Sequence, residues 1–281
     1  MKPPQNPPPN HDRGLEYDLA TLHRRRFLGL FTAAGLAAVA GCTTDDTAST
    51  TTPSSTSTSA TPSATATSSS GTTDVDEIPQ ETGGPYPGDG SNGPNVLTQS
   101  GIVRSDITKS FGSASGVAAG VPLTVQLTIL DAGEDKPIEG AAVYLWHCDA
   151  EGRYSLYSDG VTNENYLRGV QAADGSGKVT FTTIFPAAYS GRWPHIHFEV
   201  YSSLAESTKA GQITRTSQLA LPKDVCSTVY ATDGYDGSAE NLSRTSLEDD
   251  NVFGDDDGVQ QLATVTGDTG SGYVATLTVG V

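Results

Sequence analysis

Two histidines one residue apart, His195 and His197, stand in the segment Arg192-Trp193-Pro194-His195-Ile196-His197-Phe198-Glu199. On a strand, side chains at i and i+2 share a face. The two imidazoles then point the same way, about 7 Å apart by strand rise. Neutral imidazole is a common metal ligand, so such a pair is half of a metal site. The chain has 5 His, of which His147, His195 and His197 are the ones beyond residue 42. Zinc hydrolases and copper–zinc dismutases need more His or Cys ligands than this. Glu199 lies on the same strand face, which leaves a two-His-one-carboxylate iron site open, although neighbours on one strand close a facial site poorly. Tyrosine is the other source of ligands. Tyr154 ends the run Leu145-Trp146-His147-Cys148-Asp149-Ala150-Glu151-Gly152-Arg153-Tyr154, and Tyr189 precedes His195 in the segment that begins Ile184-Phe185-Pro186. A phenol is a poor ligand at its free pKa near 10. A tripositive ion lowers that pKa, as it does for bound water. Two phenolates and two imidazoles would make a hard, anionic set suited to Fe(III) rather than Zn(II) or Fe(II).

The elements that must hold these residues read as strands. Val121, Leu123, Val125, Leu127 and Ile129 alternate with small or polar residues, the pattern of a half-buried strand. Ala142 to His147 is a compact apolar run, and Val179, Phe181 and Thr183 alternate again. His195 to Tyr201, Ile213 to Ala220, Gln261 to Val265 and Tyr273 to Val279 complete the set, with Gly- and Asp-rich turns between them. No segment keeps a helical period. The expectation is an all-β fold, a β-sandwich with long functional loops.

Composition narrows the function classes. Lys plus Arg number 16 and Asp plus Glu 33, a formal net charge of -17. Nucleic-acid binding needs clustered cations, which argues against a nucleic-acid partner. No apolar run is long enough for an ordinary membrane span. Three Cys exclude a disulfide-dense scaffold.

The N-terminus reads as an address. Arg24-Arg25-Arg26-Phe27-Leu28 fits a twin-arginine signal, and the apolar stretch from Phe27 to Ala40 is too short to span. It closes on Val39-Ala40-Gly41-Cys42, which looks like a lipobox whose Cys42 carries the lipid. Residues 1–42 are thus expected to be a twin-arginine lipoprotein signal peptide. The mature protein would sit on the outer face of the cytoplasmic membrane or at the cell surface, lipid-anchored, with no other membrane contact. Removing 1–42 takes five basic and three acidic residues, leaving 11 and 30 and a formal charge of -19. Residues 43–78 are Thr/Ser/Pro-rich and cannot bury a core, so they read as a flexible tether. Residues 79–281 are then the β-sandwich domain.

The spacing Trp146-x-x-Asp149-x-x-Gly152-x-Tyr154, followed by Pro186-x-x-Tyr189-x-x-Arg192-x-x-His195-x-His197-Phe198, resembles the intradiol ring-cleavage dioxygenases, a family that includes catechol 1,2- and protocatechuate 3,4-dioxygenases. Thr82-Gly83-Gly84-Pro85-Tyr86 is similar to the family's Gly-Pro-aromatic segment. Val103-Arg104-Ser105-Asp106-Ile107 and the ending Gly-Tyr-Val-Ala-Thr-Leu-Thr-Val resemble its secreted, lipoprotein-type branch. The likeness covers about residues 80–281 and lacks the N-terminal helical segment through which catechol 1,2-dioxygenases dimerise, which leaves the oligomeric state open. The resemblance implies an intradiol-dioxygenase-like β-sandwich and a non-haem Fe(III) held by Tyr154, Tyr189, His195 and His197. It implies a small aromatic diol and O₂ as substrates and a cis,cis-muconate-type diacid as product. It further implies that Tyr189 leaves the metal and takes a substrate proton while Tyr154 stays, that Arg192 stabilises charge developing on the ring, and that Gln218 stands beside that Arg.

Other residues carry plainer expectations. His147 is expected to be structural or to support the ligands, and Trp193 to pack beside the His strand. Cys148 and Cys226 are the Cys left once Cys42 is lipidated, and an oxidising compartment favours a disulfide between them. The acidic stretch Glu248-Asp249-Asp250 and Asp255-Asp256-Asp257 lacks the spacing of a calcium loop and reads as solvated. A non-catalytic, surface-tethered β-sandwich that binds aromatics or glycans is the alternative function; it would have no use for the four-ligand set.

Overall fold

The computed structural model describes residues 75–281. The signal segment read from 1–42 and nearly all of the tether lie outside the described residues. Among the described residues, nine strands form two sheets. They are β1 (Pro122–Asp131), β2 (Lys136–Pro137), β3 (Ala142–Trp146), β4 (Arg168–Ala172), β5 (Lys178–Ile184), β6 (His195–Tyr201), β7 (Ile213–Ala220), β8 (Thr264–Asp268) and β9 (Gly272–Gly280). Three short helices sit in the connections between these strands: α1 (Leu204–Ser207), α2 (Lys223–Val229) and α3 (Ser238–Ser243). Among the described residues no helix is long and apolar enough to cross a membrane.

The first sheet runs β2-β1-β9-β8, with β5 also paired to β1; the second runs β4-β3-β6-β7. In β1 the alternating positions Leu123, Val125, Leu127 and Ile129 are buried, because one face meets the core and the other does not. They join Val179 and Phe181 of β5, Val143 and Leu145 of β3, and Ile196, Phe198 and Val200 of β6 in the sandwich core.

The two central strands of the second sheet are buried on both sides. Every residue of β3 and of β6 is buried. The outward set of these strands, Tyr144, Trp146 and Tyr201, belongs to a second cluster with Tyr86, Val96, Leu97, Ile102 and Tyr154. The N-terminal part of the domain and the long β3–β4 connection therefore roof the outer face of this sheet. His195, His197 and Glu199 lie on that roofed face, opposite the sandwich core, because they alternate with Ile196, Phe198 and Val200. A strand covered on both faces reads as a continuous apolar run unless function intervenes. Here it intervenes as two imidazoles and a carboxylate.

Candidate active site

Five segments converge on the roofed face. The β6 segment supplies the imidazoles. His195 Nε2 and His197 Nε2 are 3.1 Å apart, closer than the strand-rise estimate because both rings lean inward. His195 Nδ1 hydrogen-bonds the Trp193 carbonyl. A carbonyl only accepts, so His195 carries its proton on Nδ1 and turns the Nε2 lone pair into the site. Trp146, directly opposite His197 in the β3–β6 register, stacks on its ring at 4.9 Å and 6°. Both imidazoles are held neutral. Burial pushes each well below the ordinary His value, helped by Arg192 at His195 and by His195 at His197.

The β3–β4 connection supplies Tyr154. Asp149 caps its start, its Oδ1 accepting the backbone N–H groups of Glu151 and Arg153. The chain then turns back, and the Tyr154 ring comes to 4.9 Å from Tyr86, 6.0 Å from Tyr189 and 6.2 Å from His197. Tyr154 Oη is buried and makes no well-formed hydrogen bond. Burial first, and the neighbouring Tyr189 phenol second, push its pKa far up.

The β5–β6 connection supplies Tyr189. Its neighbour Ala188 is pinned to α3, donating its N–H to Ser238 Oγ and accepting from Asn241 Nδ2. Tyr189 Oη is 3.2 Å from His195 Nε2. The residue is half-buried, and it borders a cavity of about 310 Å³ whose charged lining residues, Glu151 and Asp236, are acidic.

Arg192 and Gln218 complete the site. Gln218 lies opposite His197 in the β6–β7 register. Its Oε1 accepts from the Arg192 guanidinium at 2.6 Å, while its Nε2 donates to Thr82 O. The guanidinium interacts electrostatically with Tyr154, His195 and His197. The Thr82–Tyr86 segment lies over His197. Gly84 has φ +70°, and a Cβ there would be 3.3 Å from His197 Cε1, so glycine answers both a left-handed backbone and a close approach.

The structure thus brings Tyr154, Tyr189, His195, His197, Arg192 and Gln218 together. Glu199 does not join them. Its Oε2 accepts from Tyr201 Oη at 2.6 Å, and among the described residues no group of three or more His, Cys, Asp or Glu is disposed to hold a metal. His147 is structural, bonded through Nδ1 to Cys148 O and through Nε2 to Thr183 Oγ1. Trp193 is buried and its indole donates to Leu221 O.

Two expectations are corrected. Cys148 and Cys226 are both free, not a disulfide. The Cys148 thiol faces Ala187 O, and the Tyr230 phenol interacts with both sulfurs while bonding Pro186 O. The acidic stretch is not wholly solvated either. Asp250 is fully buried and pairs with Arg192. Nothing in the run of acidic letters separates Asp250 from its neighbours. Arg168 was also missed. It is fully buried at the start of β4 and bonds Tyr86 O, Pro87 O and Ser155 O, tying the Gly-Pro-Tyr segment to the residue after Tyr154.

Comparison with known proteins bears on the family. The family model Dioxygenase_C, described as "Dioxygenase", matches residues 92–232. A search of curated proteins gives no match. Among solved structures, an intradiol ring-cleavage dioxygenase from Tetranychus urticae is similar at 25% identity and TM-score 0.58, covering 73% of this chain and 94% of that one. The dioxygenase domain of a dioxygenase carbohydrate-binding protein fusion from Streptomyces sp. SirexAA-E aligns at 23% identity and TM-score 0.45, covering 73% and 98%. An all-β sandwich, a two-Tyr-two-His cluster on its roofed sheet and a family match over half the chain lead to one conclusion: this chain belongs to the intradiol ring-cleaving dioxygenases and is an ortho-cleaving enzyme.

Proposed function

We propose that the protein cleaves a catechol-type diol with O₂ to a cis,cis-muconate-type diacid, using Fe(III) held by Tyr154, Tyr189, His195 and His197. In this reaction the bond between the two hydroxyl-bearing carbons breaks and both oxygen atoms enter the product. No other oxidant or reductant is needed. The observation that carries the reading is the buried Tyr154 Oη without a well-formed hydrogen bond, beside two neutral imidazoles whose Nε2 atoms face each other. A buried polar atom without a well-formed hydrogen bond is costly, and a hard cation fits two phenols and two imidazoles. When bound, ferric iron supplies Lewis acidity that acidifies the diol and readies its ring for O₂.

The chain's own residues do the rest. Tyr189, half-buried at the edge of the acidic cavity and 3.2 Å from His195 Nε2, receives a diol proton at its Oη. Tyr154 is held by its surroundings and stays in place. The Arg192 guanidinium, fixed by Gln218, faces the negative charge that builds on the ring, a role worth roughly 3 kcal/mol for one well-aimed donor. The Thr82–Tyr86 segment and Trp146 keep water from the His197 side.

The test is oxygen uptake with catechol. The reading expects one O₂ per diol and, with ¹⁸O₂, one labelled oxygen in each new carboxylate. A ring-opened aldehyde, or no uptake by iron-loaded protein, would contradict it.

The address in residues 1–42 supports export by the twin-arginine route and a lipid anchor on Cys42. In cell fractionation, Cys42→Ser should move the protein out of the membrane fraction. Persistence there would refute the anchor.

A further inference from the structure

Resting on the reading that Arg192 faces the diol, we propose that Asp250 is a positioning residue for ring cleavage, aiming the Arg192 guanidinium and fixing residue 193 beside it. Asp250 belongs to a run of acids whose neighbours Glu248, Asp249, Asp255 and Asp257 are exposed, yet it is turned inward. Its side chain is 0% exposed and that of Arg192 1%. Oδ2 accepts from Arg192 Nε at 3.0 Å and from Trp193 N at 2.7 Å. Oδ1 accepts from Val252 N at 2.9 Å and Phe253 N at 3.3 Å. The carboxylate is thus held at both oxygens by its own loop and by the segment that enters β6.

Two consequences follow for the guanidinium. It is a planar group, so anchoring Nε on Asp250 and one terminal nitrogen on Gln218 Oε1 defines its plane. The second anchor returns through Gln218 Nε2 to Thr82 O, in the segment that covers His197. The oxygen that holds Arg192 also holds the N–H of Trp193, whose carbonyl accepts from His195 Nδ1. One carboxylate oxygen therefore relates the guanidinium to the backbone that orients His195. A fully buried ion pair is weak evidence for stability, since apolar residues of similar volume often serve as well. Orientation is what this pair supplies that an apolar pair cannot. Phe253, on the same loop, packs 6.5 Å from the His195 ring and under the Arg192 guanidinium at 6.0 Å, which keeps the pair dry.

The experiment is a double-mutant cycle on the full chain loaded with ferric iron, with catechol as the probe. Asp250→Asn should keep the iron content and visible band of the parent but lower kcat about 10- to 100-fold, the scale of a small misplacement. Arg192→Ala should lower kcat about 100- to 1000-fold. An amide oxygen can still accept from Trp193 N, so Asp250→Asn acts chiefly on the guanidinium, and the double variant should fall no further than Arg192→Ala. Three results overturn the proposal: parental kcat in Asp250→Asn, a double-variant loss equal to the product of the single losses, or loss of iron and band in Asp250→Asn. Should Asp250→Asn fail to fold, Asp250→Glu, which keeps the charge but shifts the carboxylate by one methylene, is read by the same criteria. A parent that binds no iron or cleaves no diol sinks the ligand reading itself, and is seen before any variant is made.

Discussion

Arg168→Met is the sharpest structural test of how the roof is held over the site. The guanidinium makes five hydrogen bonds, to Ser155 Oγ, Pro87 O, Tyr144 Oη, Tyr86 O and Ser155 O. Methionine of similar length would fill the space but make none. Not all acceptors would be orphaned. Pro87 O keeps the Tyr144 hydroxyl at 2.7 Å, and Ser155 Oγ still donates to Tyr166 O. Tyr86 O and Ser155 O lose the guanidinium bonds that hold them. At about 1–3 kcal/mol for each buried unsatisfied group, the gross loss is about 2–6 kcal/mol. Removing a buried charge whose bonded partners are all neutral returns some of that, so the expected net cost is about 2–4 kcal/mol. For a domain of this size that lowers Tm by about 4–16 °C, with a matching fall in the urea midpoint. Because Ser155 follows Tyr154, the visible band of the iron-loaded variant should also weaken or shift. A Tm within about 2 °C of the parent, with an unchanged band, would refute the idea that Arg168 ties the two segments together.

Gly84→Ala forces a side chain onto φ +70° and to 3.3 Å from His197 Cε1. It should cost about 1–2 kcal/mol and lower kcat; denaturant unfolding and oxygen uptake read the two effects. Glu81 is pushed up to about 8, by burial first and then by Asp255, against the opposing pull of Gln261 and Arg192. An acid raised on folding contributes stability that is full below its unfolded value of 4.5 and lost as pH rises through about 8. Urea midpoints at pH 5.5 and 8.5 should therefore fall more for the parent than for Glu81→Gln; equal slopes would contradict the assignment. Substrate charge is also set by the surroundings. Arg192 is paired with Asp250 and Arg153 with Asp149 and Glu151, and the cavity beside Tyr189 adds Glu151 and Asp236. Catechol should exceed protocatechuate in kcat/KM by about tenfold or more, with the gap narrowing as salt is added; an equal or reversed preference would refute this.

The histidine strand was the most legible part of the chain. The His-x-His spacing and the apolar letters between them placed both imidazoles on one face, and β6 spans His195–Tyr201 as read. The alternation of β1 translated directly into alternating burial. What was not legible depended on tertiary partners. β4 was missed because it is five residues long, follows Leu167 at φ 56°, and begins with an arginine whose burial only makes sense once three carbonyls surround it. The helices α1, α2 and α3 have 4, 7 and 6 residues, too short for a helical period to show. Asp250 looked like its exposed neighbours because a charge run is ordinarily solvated; its partner is 58 residues away. The Cys148–Cys226 pairing failed for a related reason. Compartment chemistry says whether thiols can pair, but the fold says whether they meet.

The most direct measurement is a visible absorption spectrum with iron analysis on the purified protein, compared with Tyr154→Phe. Tyrosinate bound to Fe(III) gives a broad charge-transfer band. The account predicts a coloured protein with about one iron per chain, and a band that weakens or shifts in Tyr154→Phe together with a collapse of diol cleavage. A protein that stays colourless after iron loading, or a Tyr154→Phe variant with the parent's colour and activity, would contradict the central claim that two phenols and two imidazoles form the metal site.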